Sequence, residues 1–88
     1  MNKSAPDSGP RASARTLADL GEGDSASLVA LDLESGVALR LMELGFIPGS
    51  RVTAGHSAPG GDPRVFRVDG GEVALGRETT RHITVEAP

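Results

Sequence analysis

The 88-residue chain has no cysteine, tryptophan or tyrosine, and its aromatic content is two phenylalanines, Phe46 and Phe66. Without cysteine there is neither a disulfide framework nor thiolate chemistry, which fits a reducing compartment. With so few rings the core must be aliphatic, built from Leu, Val and Ile. No apolar run approaches the ~20 residues that a membrane-spanning helix needs. Residues 1–15 hold Lys3, Arg11 and Arg15 but no apolar stretch behind them. A secretory leader requires that stretch, so the expected location is the cytoplasm.

One domain accounts for a chain of this length, with a modest core and marginal stability. Charge is unevenly spread. Residues 1–15 carry three basic groups and one acid, Asp7, for a net +2, whereas the rest carries six basic and eleven acidic groups, for a net −5. A nucleic-acid binder usually shows a basic stripe on its folded part, and stacking platforms need exposed aromatics. Neither is present. Residues 1–15 are rich in Ser, Pro, Ala and Gly without hydrophobic period, and read as a disordered tail. The folded domain is expected over 16–88.

Thr16 suits the N-cap of a single helical turn, Leu17 to Leu20, stopped by Gly21. A strand follows from Ser25 to Leu31, with Ala26 and Leu28 on one face. Ser35 is the expected N-cap of a helix from Gly36 to Leu44. At ~100° per residue, Val37, Leu41 and Leu44 form its core stripe, and Arg40 and Glu43 lie off it, spaced to pair. Gly45 stands where a left-handed cap belongs, and Pro48-Gly49 prevents a return to helix. The second half alternates: Arg51 to His56 with Val52 and Ala54 together, then Arg64 to Val68 with Phe66 and Val68 together. Pro59 to Pro63 is a long turn. Asp69-Gly70 is a two-residue hairpin signal leading into Glu72 to Leu75. Residues 76–81 are polar, with room for one helical turn. His82 to Glu86 closes the chain with Ile83 and Val85 inward. About five short strands and one real helix argue for a small, mostly β barrel.

The run Arg40-Leu41-Met42-Glu43-Leu44-Gly45-Phe46-Ile47-Pro48-Gly49-Ser50 resembles the helix-to-strand signature of the FeoA family. Ser57-Ala58-Pro59-Gly60-Gly61-Asp62-Pro63 is similar to that family's Ala-Pro-x-Gly-Asp-Pro loop. The opening Leu17-x-x-Leu20-x-x-Gly23 and the closing Ala74-Leu75 with Ile83-x-Val85 are similar too, so the resemblance spans residues 16–86. It implies an SH3-like β-barrel with a short helix inserted after the first strand. It also implies a non-catalytic role in ferrous-iron uptake, with FeoB, a membrane transporter carrying a cytoplasmic GTP-binding domain, as partner. Self-association is a further expectation. The alternative is a small adaptor, or a metal-responsive SH3-like regulatory domain acting in trans. The family usually carries a small apolar residue before its last strand, where this chain has Thr79, Thr80 and Arg81.

The motif residues have folding roles. Leu41 and Leu44 face the core, Gly45 caps the helix, Pro48-Gly49 aims the next strand, Pro59 belongs to the turn, Asp62 bonds neighbouring backbone, and Pro63 starts a strand where no donor is needed. Catalytic parts are missing: there is no Gly-x-Ser-x-Gly serine, and Gly60-Gly61 is followed by no Gly-Lys-Ser/Thr. His56 and His82 fall on separate strands. Asp62, Glu72 or Glu86 could join them on ferrous iron, yet no spacing demands it, so no metal and no cofactor are assigned.

The helix is more apolar than one buried face requires. Leu39 sits ~160° from the core stripe, Met42 lies between, and Phe46 and Ile47 follow the cap. In one arrangement Leu39, Met42 and Phe46 form an exposed patch that docks a partner, with Arg40 and Glu43 as its polar rim. In the other, Met42 and Phe46 complete the core and Leu39 alone is exposed.

Overall fold

A computed structural model describes residues 16–86. The tail expected over residues 1–15 lies outside the described residues. A 3₁₀ turn, Leu17–Asp19, opens the domain. Then follow β1 (Ser25–Leu31), α1 (Ser35–Glu43), β2 (Arg51–Ser57), β3 (Arg64–Val68), β4 (Gly71–Leu75), α2 (Arg77–Thr80) and β5 (Ile83–Glu86). The strands form one antiparallel sheet in the order β4-β3-β2-β1-β5. Thr16 extends the outer edge of β5 by a bridge to Thr84, which partly covers an edge that would otherwise invite pairing.

Alternation places the core as the sequence anticipates. Ala26, Leu28, Val52, Ala54, Phe66, Val68, Ile83 and Val85 are buried on one face of the curved sheet, and Leu17 and Leu20 close one end. In β1 the pattern stops at Leu28. The register with β5 shifts between Leu28 and Ala30, and Val29 and Ala30 turn outward, as a bulge requires. The β3–β4 hairpin turns on Asp69 (φ 50°) and Gly70 (φ 82°), the two left-handed residues of a type I′ turn.

The N-cap of α1 is Glu34 rather than Ser35. Its carboxylate accepts the Val37 N–H at 3.2 Å, satisfying one orphan donor and placing negative charge at the helix start. At the other end, the Gly45 N–H donates to the Met42 carbonyl at 3.1 Å and the Phe46 N–H to the Leu41 carbonyl at 3.0 Å. This is a Schellman cap, whose residue after the glycine packs back on the last turn. Phe46 is accordingly fully buried beside Leu41 in the core. Then Pro48-Gly49 turns the chain: the Ser50 N–H reaches the Ile47 carbonyl, and Gly49 (φ 96°) donates to the Leu28 carbonyl, each at 2.8 Å.

Asp62 acts at longer range than neighbouring backbone. Its Oδ1 accepts the Arg77 N–H at 2.8 Å and so caps α2 from the β2–β3 loop, because Gly76 at the helix start has no side chain to do it. In α2, Thr80 is buried with its hydroxyl donating to the Arg77 carbonyl. A threonine thus fills the place of the small apolar residue, its hydroxyl satisfied locally.

Gly45 has φ +109°, and a Cβ there would stand 3.3 Å from the Asp69 Cβ and 3.6 Å from a Val68 methyl. The Gly45→Ala variant is expected to lose about 1–3 kcal/mol, from the left-handed backbone and the close approach together. Urea unfolding followed by circular dichroism would measure it. The midpoint should fall with the slope unchanged.

Candidate docking surface

The geometry of α1 follows from its two ends. Glu34 fixes the first turn, and the Schellman cap drags Phe46 inward. Together they set which side of the helix meets the sheet. That side is centred on Leu41, which is buried, and on Ala38, which is half-buried. The expected stripe is therefore rotated. Val37 and Leu44, which the 3.6-residue period put in the core, are exposed at its margin. Leu41 alone of the three is interior.

As to exposure, the structure takes something from each sequence arrangement. Leu39 (59% exposed) and Met42 (38%) face outward, while Phe46 at 0% is excluded from any surface. Arg40 and Glu43 are exposed, as a rim requires, but they do not pair with each other. The ion pair among the described residues is Arg67–Glu72, at 3.4 Å and largely exposed, so it contributes little. Ile47 at the Pro-Gly turn and Val29 beside the β1 bulge add to the apolar exposure. The outer surface around α1 thus presents Val37, Leu39, Met42, Leu44 and Ile47. Large apolar side chains left in water at this density mark interaction sites.

The inner margin of α1 borders an open groove. Val37, Leu41 and Leu75 supply its apolar lining, and Glu34, Arg40 and Thr79 its polar one, within about 510 Å³. The residues expected in the β2–β3 loop, Pro59, Asp62 and Pro63, are exposed, as are Pro48 and Gly49. Pro59, Asp62 and Pro63 stand apart from α1 in sequence and serve the loop and the α2 cap, whereas Pro48 and Gly49 turn the chain just after α1.

His56 and His82 are both exposed. His82 precedes β5 rather than lying in it, and its Nε2 accepts from the Arg81 Nε at 3.4 Å. Among the described residues, no three of His, Asp and Glu come close enough together to hold a metal ion. Glu72 is engaged with Arg67. No described helix is long and apolar enough to cross a membrane.

Residues 15–87 match the family model described as the FeoA domain. A curated relative from Porphyromonas gingivalis, an Fe(2+) transport protein A/Fe(2+) transporter FeoB fusion, is 34% identical over 70 residues. That stretch is 80% of this chain and 8% of the fusion. Among solved structures, FeoA from Chlorobium tepidum superposes with a TM-score of 0.78 at 32% identity, over 82% of this chain and 69% of that one. The zinc complex of FeoA from Stenotrophomonas maltophilia, a prokaryotic SH3 domain protein, gives 0.71 at 32% identity, over 81% and 88%. A manganese-dependent transcriptional repressor shares the fold, with a TM-score of 0.75 at 20% identity over 92% of this chain and 39% of its own.

Because Leu39 and Met42 carry no part of the core, Leu39→Asp and Met42→Asp should unfold within about 0.5 kcal/mol of the parent. Leu41→Asp should not fold, since it buries an unpaired carboxylate. Thermal melts of the three variants would separate these outcomes.

Proposed function

The chain belongs to the FeoA family, and from that membership and the exposed surface of α1 we propose a non-catalytic accessory protein of ferrous-iron uptake. It acts in the cytoplasm by docking on the cytoplasmic part of a FeoB-type, GTP-dependent transporter. The observation that carries this reading is the set of large apolar residues that α1 presents to water, Leu39 and Met42 foremost. They contribute nothing to the barrel's core and are flanked by Arg40 and Glu43, whose charges are free to orient a partner.

The size of the surface fits a transient contact. Nine helical residues span about 14 Å, so the buried area falls at the low end for specific complexes. In the Porphyromonas fusion the two components share one chain, and tethering makes weak docking intramolecular, with effective concentrations near the millimolar range. A modest face is enough under such conditions. Regulation would require different affinities for the transporter's nucleotide states, and about 1.4 kcal/mol of preference gives a tenfold bias. The non-catalytic part of the reading rests on the family membership. The adaptor or metal-responsive alternative draws on the repressor likeness, which is one of fold.

Capture of the purified chain by the cytoplasmic domain of a FeoB-type transporter, with GTP or GDP analogues, tests the proposal. Nucleotide-dependent capture is expected, weakened at least tenfold by Leu39→Asp and by Met42→Asp. Equal capture of folded variants and parent would remove α1 from the interface. Equal capture in both nucleotide states would leave docking without regulation.

A further inference from the structure

Away from α1, a small pocket opens where the β2–β3 loop meets α2 and the N-terminal turn. Gly61, Asp62, Arg64, Arg77 and Thr80 line it over a base of buried Leu17 and Phe66, and its cavity is small, about 30 Å³. Two arginines therefore line one concavity, although the described residues 16–86 carry a net −5, six basic against eleven acidic groups.

Arg64 is half-buried, and its Nη1 donates to the Leu20 carbonyl at 2.6 Å. That bond uses one of the five donors of a guanidinium. Neither Arg64 nor Arg77 takes part in an ion pair among the described residues. A partly desolvated guanidinium is costly unless it is paired, and the two arginines bring two formal positive charges to the pocket. Asp62 does not cancel this. Its Oδ1 is committed to the Arg77 backbone N–H, and one carboxylate against two guanidinia leaves the pocket at +1.

We infer that this pocket is a binding site for a single carboxylate, held between Arg64 and Arg77. The charge balance selects the ligand. A monoanion neutralises the site, whereas a phosphate dianion would leave excess negative charge facing the Asp62 carboxylate. Planar carboxylates also match the donor fork of arginine. The Thr80 hydroxyl is turned to the Arg77 carbonyl, so recognition rests on the arginines. A carboxylate of this kind comes either from a free small acid or from an acidic side chain of a docked protein.

The test is an NMR titration of the intact chain at constant ionic strength, chloride making up the balance. The added anions are acetate, a capped Gly-Glu-Gly peptide and phosphate. Acetate and the peptide are expected to move the Arg64 Nε–H and the Gly61, Arg77 and Thr80 amides along saturating curves. Phosphate is expected to give only linear drift. Arg77→Ala should weaken carboxylate binding at least tenfold, and Arg64→Lys should do the same, because it keeps the charge but loses the fork. If Arg64→Lys loosens the N-terminal turn, the exposed Arg77 variant still decides. Tighter binding of the peptide than of acetate supports an acidic side chain as the natural ligand, and the reverse supports a free acid. Linear drift with every anion, an unchanged affinity in Arg77→Ala, or saturation by phosphate as tight as by acetate would overturn the assignment.

Discussion

The hydrogen-bonded turn at Gly45 governs more of this molecule than any other local feature. The two bonds that end α1, from Gly45 and Phe46 back to Met42 and Leu41, can form only if residue 45 takes a left-handed conformation. Glycine does so without cost. Once they form, Phe46 has no choice but to enter the core, where it is one of two rings in an otherwise aliphatic interior. The same turn brings the helix end against Val68 and Asp69 of the β3–β4 hairpin, with room for hydrogen but little more at residue 45. Helix direction, ring burial and helix-to-hairpin contact are therefore one constraint seen from three sides. In a domain this small, with a single modest core, no second cluster could compensate for losing it.

Strand positions were legible because alternation is strict and the turn chemistry is strong. Val52 with Ala54, Phe66 with Val68, and Ile83 with Val85 face inward as their period of two demands. Asp69-Gly70 makes the hairpin that its residue types specify. The helix was harder to read, for a physical reason. A nine-residue helix gives two and a half turns in which to find a stripe, and apolar residues occur all round it. The period alone favoured Val37, Leu41 and Leu44, and the structure keeps only Leu41. The missing information was in the cap. A Leu-Gly-Phe sequence at a helix end implies the contact of Phe46 with the last turn, and that contact rotates the buried side toward Ala38 and Leu41. Of the patch residues read from sequence, Leu39 and Met42 stay at the surface, while Phe46 is given up to the core.

Polar residues show the same division between local and distant causes. Glu34 caps α1 from within its own turn, one residue earlier than Ser35, because a glutamate reaches the Val37 N–H across the helix start. Asp62 could not be placed from sequence, since its acceptor role lies fifteen residues away at Arg77. Thr80 is polar in a stretch where the family usually carries a small apolar residue. It is buried with its hydroxyl donating to the Arg77 carbonyl three residues back, at 3.4 Å. Local rules reach caps and turns, and only the closed fold reveals where loop carboxylates and isolated polar side chains end up.

The placement of apolar residues around α1 separates what the fold needs from what the proposed docking needs. A helix that served the fold alone would need Leu41 and a glycine cap, with polar residues elsewhere to keep it soluble. Val37, Leu39, Met42, Leu44 and Ile47 stand in water instead. Scattered single leucines on a surface need no explanation, but five large apolar residues within eleven positions of one helix and its following turn are a concentrated hydrophobic surface. The helix that carries it is capped at both ends, by Glu34 at the start and by the Schellman turn at the finish. A partner that covers it gains apolar burial without ordering the helix first, and pre-organisation of that kind lowers the cost of binding. The capping bonds that decide the fold thus also decide which side chains remain available outside it.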